Sequence, residues 1–154
     1  MVKINIAGTV YEYPDVGENP NWGREATEVI VALAEALNSL VTDGDILLAR
    51  AAIQNNISVF SVINGLILDS NKTKSATISY TVTRKTSEEY VVEYGSIYLL
   101  YEDTQWIISR ELDSGDAGII FEIDNTGQLY YQTTNLTGIN HIGLISFSAK
   151  TTPK

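Results

Sequence analysis

The chain has 154 residues, the length of one ordinary domain with an appendage, and 44% of them are apolar, enough for a real core. Its net charge of −9, with ten scattered basic residues, excludes a nucleic-acid surface and disfavours an anionic membrane. There is no cysteine and a single histidine, so disulfides, thiolate zinc and multi-histidine centres are excluded, and no cofactor is expected.

In chain order, Met1 to Thr9 reads as a short strand with Val2, Ile4 and Ile6 on one side. Tyr11, Tyr13 and Trp22 follow in a run rich in Pro, Gly and Asn, and residues 1–23 are expected to form an extended arm. This opening lacks the apolar core of a signal peptide, and no apolar run is long enough to span a membrane. Synthesis in a cytoplasm without an export tag is expected.

Residues 24–41 are predicted to form a helix. Asn19 before Pro20 fits an N-cap, with Asn21 as a competing cap, and Glu25 and Glu28 suit the positive end of the helix dipole. Ile30, Leu33, Leu37 and Leu40 follow the 3-4-3 spacing of a helical seam. Val29, Ala32 and Ala36 make a second apolar strip, and Val31 points away from both. Such a helix is either buried in its own domain or packed with two copies of itself around an axis. Asp43-Gly44-Asp45 is expected to stop it.

Residues 42–73 read as a connecting β segment. Ile46 to Gln54 fits a helix or a strand, with a strand or linker favoured, and Asn64-Gly65 is a type I′ hairpin signal between two short apolar runs. Residues 74–154 read as an antiparallel β-domain, sandwich or jelly-roll-like, so the chain as a whole is mainly β. Ser75 to Arg84 alternates cleanly, with Ala76, Ile78, Tyr80 and Val82 facing one way and Thr77, Ser79, Thr81 and Thr83 the other. Tyr90 to Glu102 is a second long strand, with Gly95 as a bulge or close-approach point. Further strands are expected at Gln105 to Leu112, Ile119 to Ile123, Gln128 to Thr133 and Ile142 to Ala149. Asp113 to Gly118, Asp124 to Gly127 and Asn135 to Gly138 are expected turns, and Thr151 to Lys154 a polar tail.

The strand series SATISYTVTRKTSEEYVVEYGSIYLLYE, WIISRELDSGDAGIIFEI, NTGQLYYQTTNLTG and GLISFSAKTT resembles a β-module of tailed-bacteriophage structural proteins. The matching residues are Ile78, Tyr80, Val82 and Arg84; then Glu93, Gly95 and Tyr101; then Gly115, Asp116, Gly118 and Phe121. They continue with Gly127, Gln128, Tyr131, Thr133 through Leu136 and Gly138, and end at Ala149, Lys150 and Thr151. The opening VKINIAGTVYEYPDVGENPNWG is similar to the start of such virion proteins, whereas residues 42–72 carry little of the likeness. The resemblance implies a virion component such as a capsid decoration or cement protein, a head fibre or a tail-fibre part. It also implies a homotrimer, with the major capsid protein or another virion protein as partner.

Few residues offer chemistry. His141 stands alone at the start of the last strand, without the serine elbow of a hydrolase, and reads as a loop histidine. Asp113, Asp116 and Asp124 are oxygen donors for calcium, but their spacing equally suits ordinary turns. Glu88, Glu89, Glu93, Glu102, Glu111 and Glu122 are available as glycosidase carboxylates, most of them at outward strand positions. Trp106, Tyr130 and Tyr131 are candidates for stacking on a host glycan, against a core role. The sequence therefore points to a non-enzymatic protein. It is expected to anchor through Val2, Ile4, Ile6, Tyr11, Tyr13 and Trp22 and to join copies through Ile30, Leu33, Leu37 and Leu40.

Overall fold

The computed structural model describes the backbone of residues 2–6 and 9–13, residues 26 and 28–33, and residues 44–154. The chain divides into two compact units, Met1–Val41 and Thr42–Lys154.

In the first unit, β1 (Val2–Ile6) pairs antiparallel with β2 (Thr9–Tyr13). The predicted arm thus contains a hairpin: Val2 stands opposite Tyr13, Ile4 opposite Tyr11 and Ile6 opposite Thr9. β-branched residues and tyrosines at alternate positions are strand formers, and Tyr11 and Tyr13 give the opening strand a partner. Residues 28–33 are helical. The proposed cap at Asn19 to Asn21, together with Trp22, Ala36, Leu37, Leu40 and Asp43, lies outside the described residues.

The second unit holds eight strands: β3 (Ile46–Ala52), β4 (Ser61–Ile67), β5 (Thr73–Lys85), β6 (Tyr90–Glu102), β7 (Gln105–Gly115), β8 (Ile119–Ile123), β9 (Gln128–Thr133) and β10 (Ile142–Pro153). They form a five-stranded sheet in the order β3-β10-β5-β6-β7 and a three-stranded sheet in the order β4-β9-β8. All pairings are antiparallel. The expected sandwich is present, as five strands over three.

The alternating residues of β5 account for the packing. Ala76, Ile78, Tyr80 and Val82 are buried, and Thr77 and Ser79 are exposed on the other side. Ile63, Leu66, Leu129 and Tyr131 of the smaller sheet meet Ile78, Val82, Ile97 and Phe147 of the larger one in a single core cluster. Each fully buried Leu, Ile or Val in such a core contributes about 1.5–3 kcal/mol.

Three expectations are corrected. Asn64-Gly65 is no hairpin turn: it lies inside β4, where the register with β9 shifts between Val62 and Ile67. Gly65 takes φ +82°, and the Gln128 Nε2 amide donates to the carbonyls of Ile63 and Leu66, so a side chain replaces the interrupted ladder. Residues 42–73 are more than a connector, because β3 and β4 are edge strands of the two sheets. Thr151 to Pro153 is no tail: it continues β10 against β5, and Asp45 Oδ1 accepts from both the backbone N–H and the hydroxyl of Thr151.

Gly95 is both a bulge point and a close approach. The β6–β7 register shifts at Tyr94/Gly95, and a Cβ on Gly95 would stand 2.6 Å from both Tyr80 Oη and the Glu111 carbonyl. Gly95→Ala is therefore expected to lose about 1–3 kcal/mol of stability. A urea unfolding curve superimposable on that of the native chain would refute this.

Candidate functional site

Of the residues predicted to join copies, Ile30 and Leu33 lie on the short helix, where Val29 and Ala32 are buried while Ile30 is 65% and Leu33 48% exposed. The described helical turn thus places Val29 and Ala32 inward and leaves Ile30 and Leu33 in solvent. Val31, set apart from both strips by its position, is also exposed. Of the anchor candidates, Val2, Ile4, Tyr11 and Tyr13 occupy cross-strand pairs of the hairpin and Ile6 stands opposite Thr9.

In the second unit, sequence reading missed two knots of buried polar side chains. The first centres on Glu93, which is fully buried on β6. Its Oε1 accepts from the Tyr80 hydroxyl at 2.8 Å and pairs with Arg110 Nη2, and its Oε2 accepts from the Ala117 N–H at 2.8 Å. Arg110 also donates through Nε to Tyr80 Oη at 2.7 Å and through Nη1 to the Ile119 carbonyl at 2.7 Å. The guanidinium lies 5.3 Å from the centre of the Phe121 ring, which meets Tyr80 edge-on at 5.0 Å. Burial, and then its hydrogen bond to Glu93, push the Tyr80 hydroxyl well above its ordinary pKa, so it remains a donor to that carboxylate.

The second knot centres on Arg84, whose side chain is fully buried at the end of β5. Arg84 Nη2 donates to Asn55 Oδ1 at 2.7 Å and to the Thr134 carbonyl at 2.6 Å, and Nη1 donates to the Ala117 carbonyl. Asn55 in turn holds Leu136, accepting from its N–H at 2.9 Å and donating to its carbonyl at 3.1 Å. One cation therefore gathers three loops. Arg84 Nε donates to His141 Nε2 at 3.4 Å, a bond that only the neutral ring can accept. Burial first, and the Arg84 charge second, lower the His141 pKa.

The remaining candidates serve the fold. Asp116 Oδ1 accepts from the Gly118 N–H, and Asp124 Oδ1 accepts from Thr126 and Gln128, so each acid holds its own turn. Among the described residues, no three acidic or histidine side chains converge on one point. Trp106 and Tyr131 are buried core residues, whereas Tyr130 is half-buried with its hydroxyl on Asp124 Oδ2 at 2.8 Å, so the three make no common stacking platform. Glu93 is the exception among the glutamates read as outward-facing. The buried acceptors and donors around Arg84, Glu93 and Arg110 are occupied by protein groups, leaving them to brace the sandwich.

Two outcomes test this bracing. Glu93→Ala strands the Arg110 guanidinium and should cost about 3–5 kcal/mol, while Glu93→Leu combined with Arg110→Met should cost well below the sum of the two single changes. An additive double-mutant cycle would show that the pair does not act as a unit. For His141, the folded pKa lies below the ordinary 6.5, so its contribution is complete above that value and is lost as pH falls below it. In His141→Asn the stability lost between about pH 7.5 and pH 5.5 should therefore shrink. An unchanged pH slope of the urea midpoint would remove His141 from this role.

No protein-family model matches the chain, and no curated protein matches it. The solved structure of the tailspike protein of Acinetobacter phage vB_ApiP_P1 aligns over 68% of this chain and 22% of the tailspike, at 10% identity and a TM-score of 0.40. A likeness that slight carries no function or assembly state to this chain.

Proposed function

We propose that this chain is a non-enzymatic structural protein of a tailed-phage virion, a homotrimeric capsid decoration, cement or head-fibre protein. The first unit is the attachment and joining part, and the β-sandwich is the part displayed. The observation that carries this reading is the exposure of Ile30, Val31 and Leu33 in a unit compact in its own right. Large apolar side chains left in solvent side by side on a short helix call for a partner surface. The phage-module resemblance supports the virion setting, because its residues include the turn and core positions just described.

The proposed mechanism is cementing. Val2, Ile4, Ile6, Tyr11, Tyr13 and Trp22 bind the major capsid protein or another virion protein, and Ile30, Leu33, Leu37 and Leu40 hold three copies together. Apolar burial at about 25 cal/mol per Å² supplies the attraction, reduced by the cost of ordering the segment. Three linked copies then add avidity without new contacts. A tail-fibre module contacting host glycans is the rival reading, and it loses Trp106 and Tyr131 as stacking groups.

Light scattering of the full chain should give three times the chain mass, and Ile30→Ser with Leu33→Ser should give a folded monomer. Removal of residues 1–20 should abolish particle decoration while leaving the β-sandwich folded. A monomeric full chain would sink the joining role, and normal decoration by the truncated chain would sink the anchoring role.

A further inference from the structure

The outer face of the five-stranded sheet carries a pattern that the anchoring reading does not use. Tyr90, Tyr94 and Tyr98 follow one another at every fourth residue of β6 and are 65%, 49% and 42% exposed. Residues two apart on a strand share a face, so the three rings form one file, about 13 Å between neighbours. β6 is an inner strand of its sheet, with β5 on one side and β7 on the other. The file therefore runs over the sheet and not along its rim.

The flanking residues are mostly hydroxylic, with Leu100 and Ile107 exposed as an apolar pair next to Tyr98. On β5, Thr81 stands opposite Tyr94, Thr77 opposite Tyr98 and Ser79 opposite Ser96. One strand further, β10 sets Ser146 beside Thr81 and Ser148 beside Ser79. A shallow hollow of about 730 Å³ adjoins the file, lined by Thr77, Ser79 and Ser148 together with Asp45 and with Lys150, which stands opposite Thr77. Tyr98 is held in place, donating through Oη to Glu111 Oε2 at 3.2 Å. On β5 and β6 the charged side chains of this face, Lys85 and Glu102, stand at strand ends, and Glu111 is on the edge strand β7.

We infer that this face is a binding platform for a neutral glycan chain lying along β6. Tyrosine offers a rigid apolar ring for the C–H face of a sugar and a hydroxyl at its tip, and the Ser and Thr rows both donate and accept hydrogen bonds to sugar hydroxyls. The composition favours a polyhydroxylated ligand over a protein, because serine is depleted in the core of protein interfaces. It favours a neutral ligand over an acidic one, because the chain carries −9 and the cations of this face, Lys85, Lys150 and Arg50, stand singly on three different strands. This surface is separate from Trp106, Tyr130 and Tyr131, and it does not rest on the cementing role.

The test probes the full-length chain on an array of neutral and acidic glycans, followed by titration calorimetry with the strongest neutral hit. Tyr94→Ala and Tyr98→Ala should each weaken binding about tenfold, since each removes a stacking ring. Tyr98→Phe keeps the ring and should stay within about threefold of the native chain, and Tyr130→Ala should change nothing. Near-ultraviolet circular dichroism confirms that each variant is folded. The inference fails if no neutral glycan binds, if only acidic glycans bind, or if the Tyr94→Ala, Tyr98→Ala double variant binds as the native chain does. If those variants abolish self-association while no glycan binds, the face belongs to a second copy and the inference is overturned.

Discussion

The sandwich depends on one buried carboxylate. Glu93 sits on β6 with no solvent exposure, and its two oxygens are shared by Tyr80 of β5, Arg110 of β7 and the N–H of Ala117. Those partners lie on both neighbouring strands and in the loop that leads to β8 of the other sheet. A charge out of water is costly unless its bonds are complete, so the arrangement tolerates little displacement of any partner. Gly95, which admits the Tyr80 hydroxyl, and the bulge beside it follow from this demand.

Ala117 passes the constraint on. Its N–H is taken by Glu93 and its carbonyl by Arg84, so a single peptide-linked residue joins an acid from one knot to a cation from the next. Arg84 then fixes the loops at Asn55 and Thr134, which flank β4 and β9. A buried cation served by carbonyls, an amide oxygen and an imidazole nitrogen is a solvation shell built from loops. It braces the irregular segments on this side of the sandwich in a chain that has no cysteine.

Much of this was legible and some was not, for definite reasons. Period-two alternation located β5 and its buried face, because that strand is apolar on one side only. The same phase, carried two residues further, puts Arg84 on the buried face, and in β6 it puts Glu93 in step with Gly95, Ile97 and Leu99. Residue type overruled phase at both positions, since an unpaired Arg or Glu belongs outside. Their partners, Arg110 and the Ala117 peptide, are distant in sequence. Asn64-Gly65 misled for a different reason: the dipeptide supplies a positive φ, and a bulge uses that as readily as a turn does. The hairpin of β1 and β2 was hidden because Tyr11 and Tyr13 sit among loop formers. On the outer face, nothing in the order of residues singles out Tyr94 and Tyr98; the register of β5 with β6 is what sets them beside Thr81 and Thr77.

The phage-module motif now has a physical meaning, and it sets a limit on what resemblance can say. Tyr80, Arg84, Glu93, Gly95 and Gly118 are matched positions, and they make or admit the two knots. Thr134 and Leu136 are matched as well, and they receive the bonds of Arg84 and Asn55. A motif composed of bracing residues specifies a sandwich and its loops, whatever that sandwich displays. The surfaces that the bracing leaves unspent include Ile30, Val31 and Leu33 of the first unit and the tyrosine file on the second. In the proposed reading, the first holds the protein to its partners and the second is what it presents. The two surfaces lie in separate units, so either can change without disturbing the charges that hold the fold.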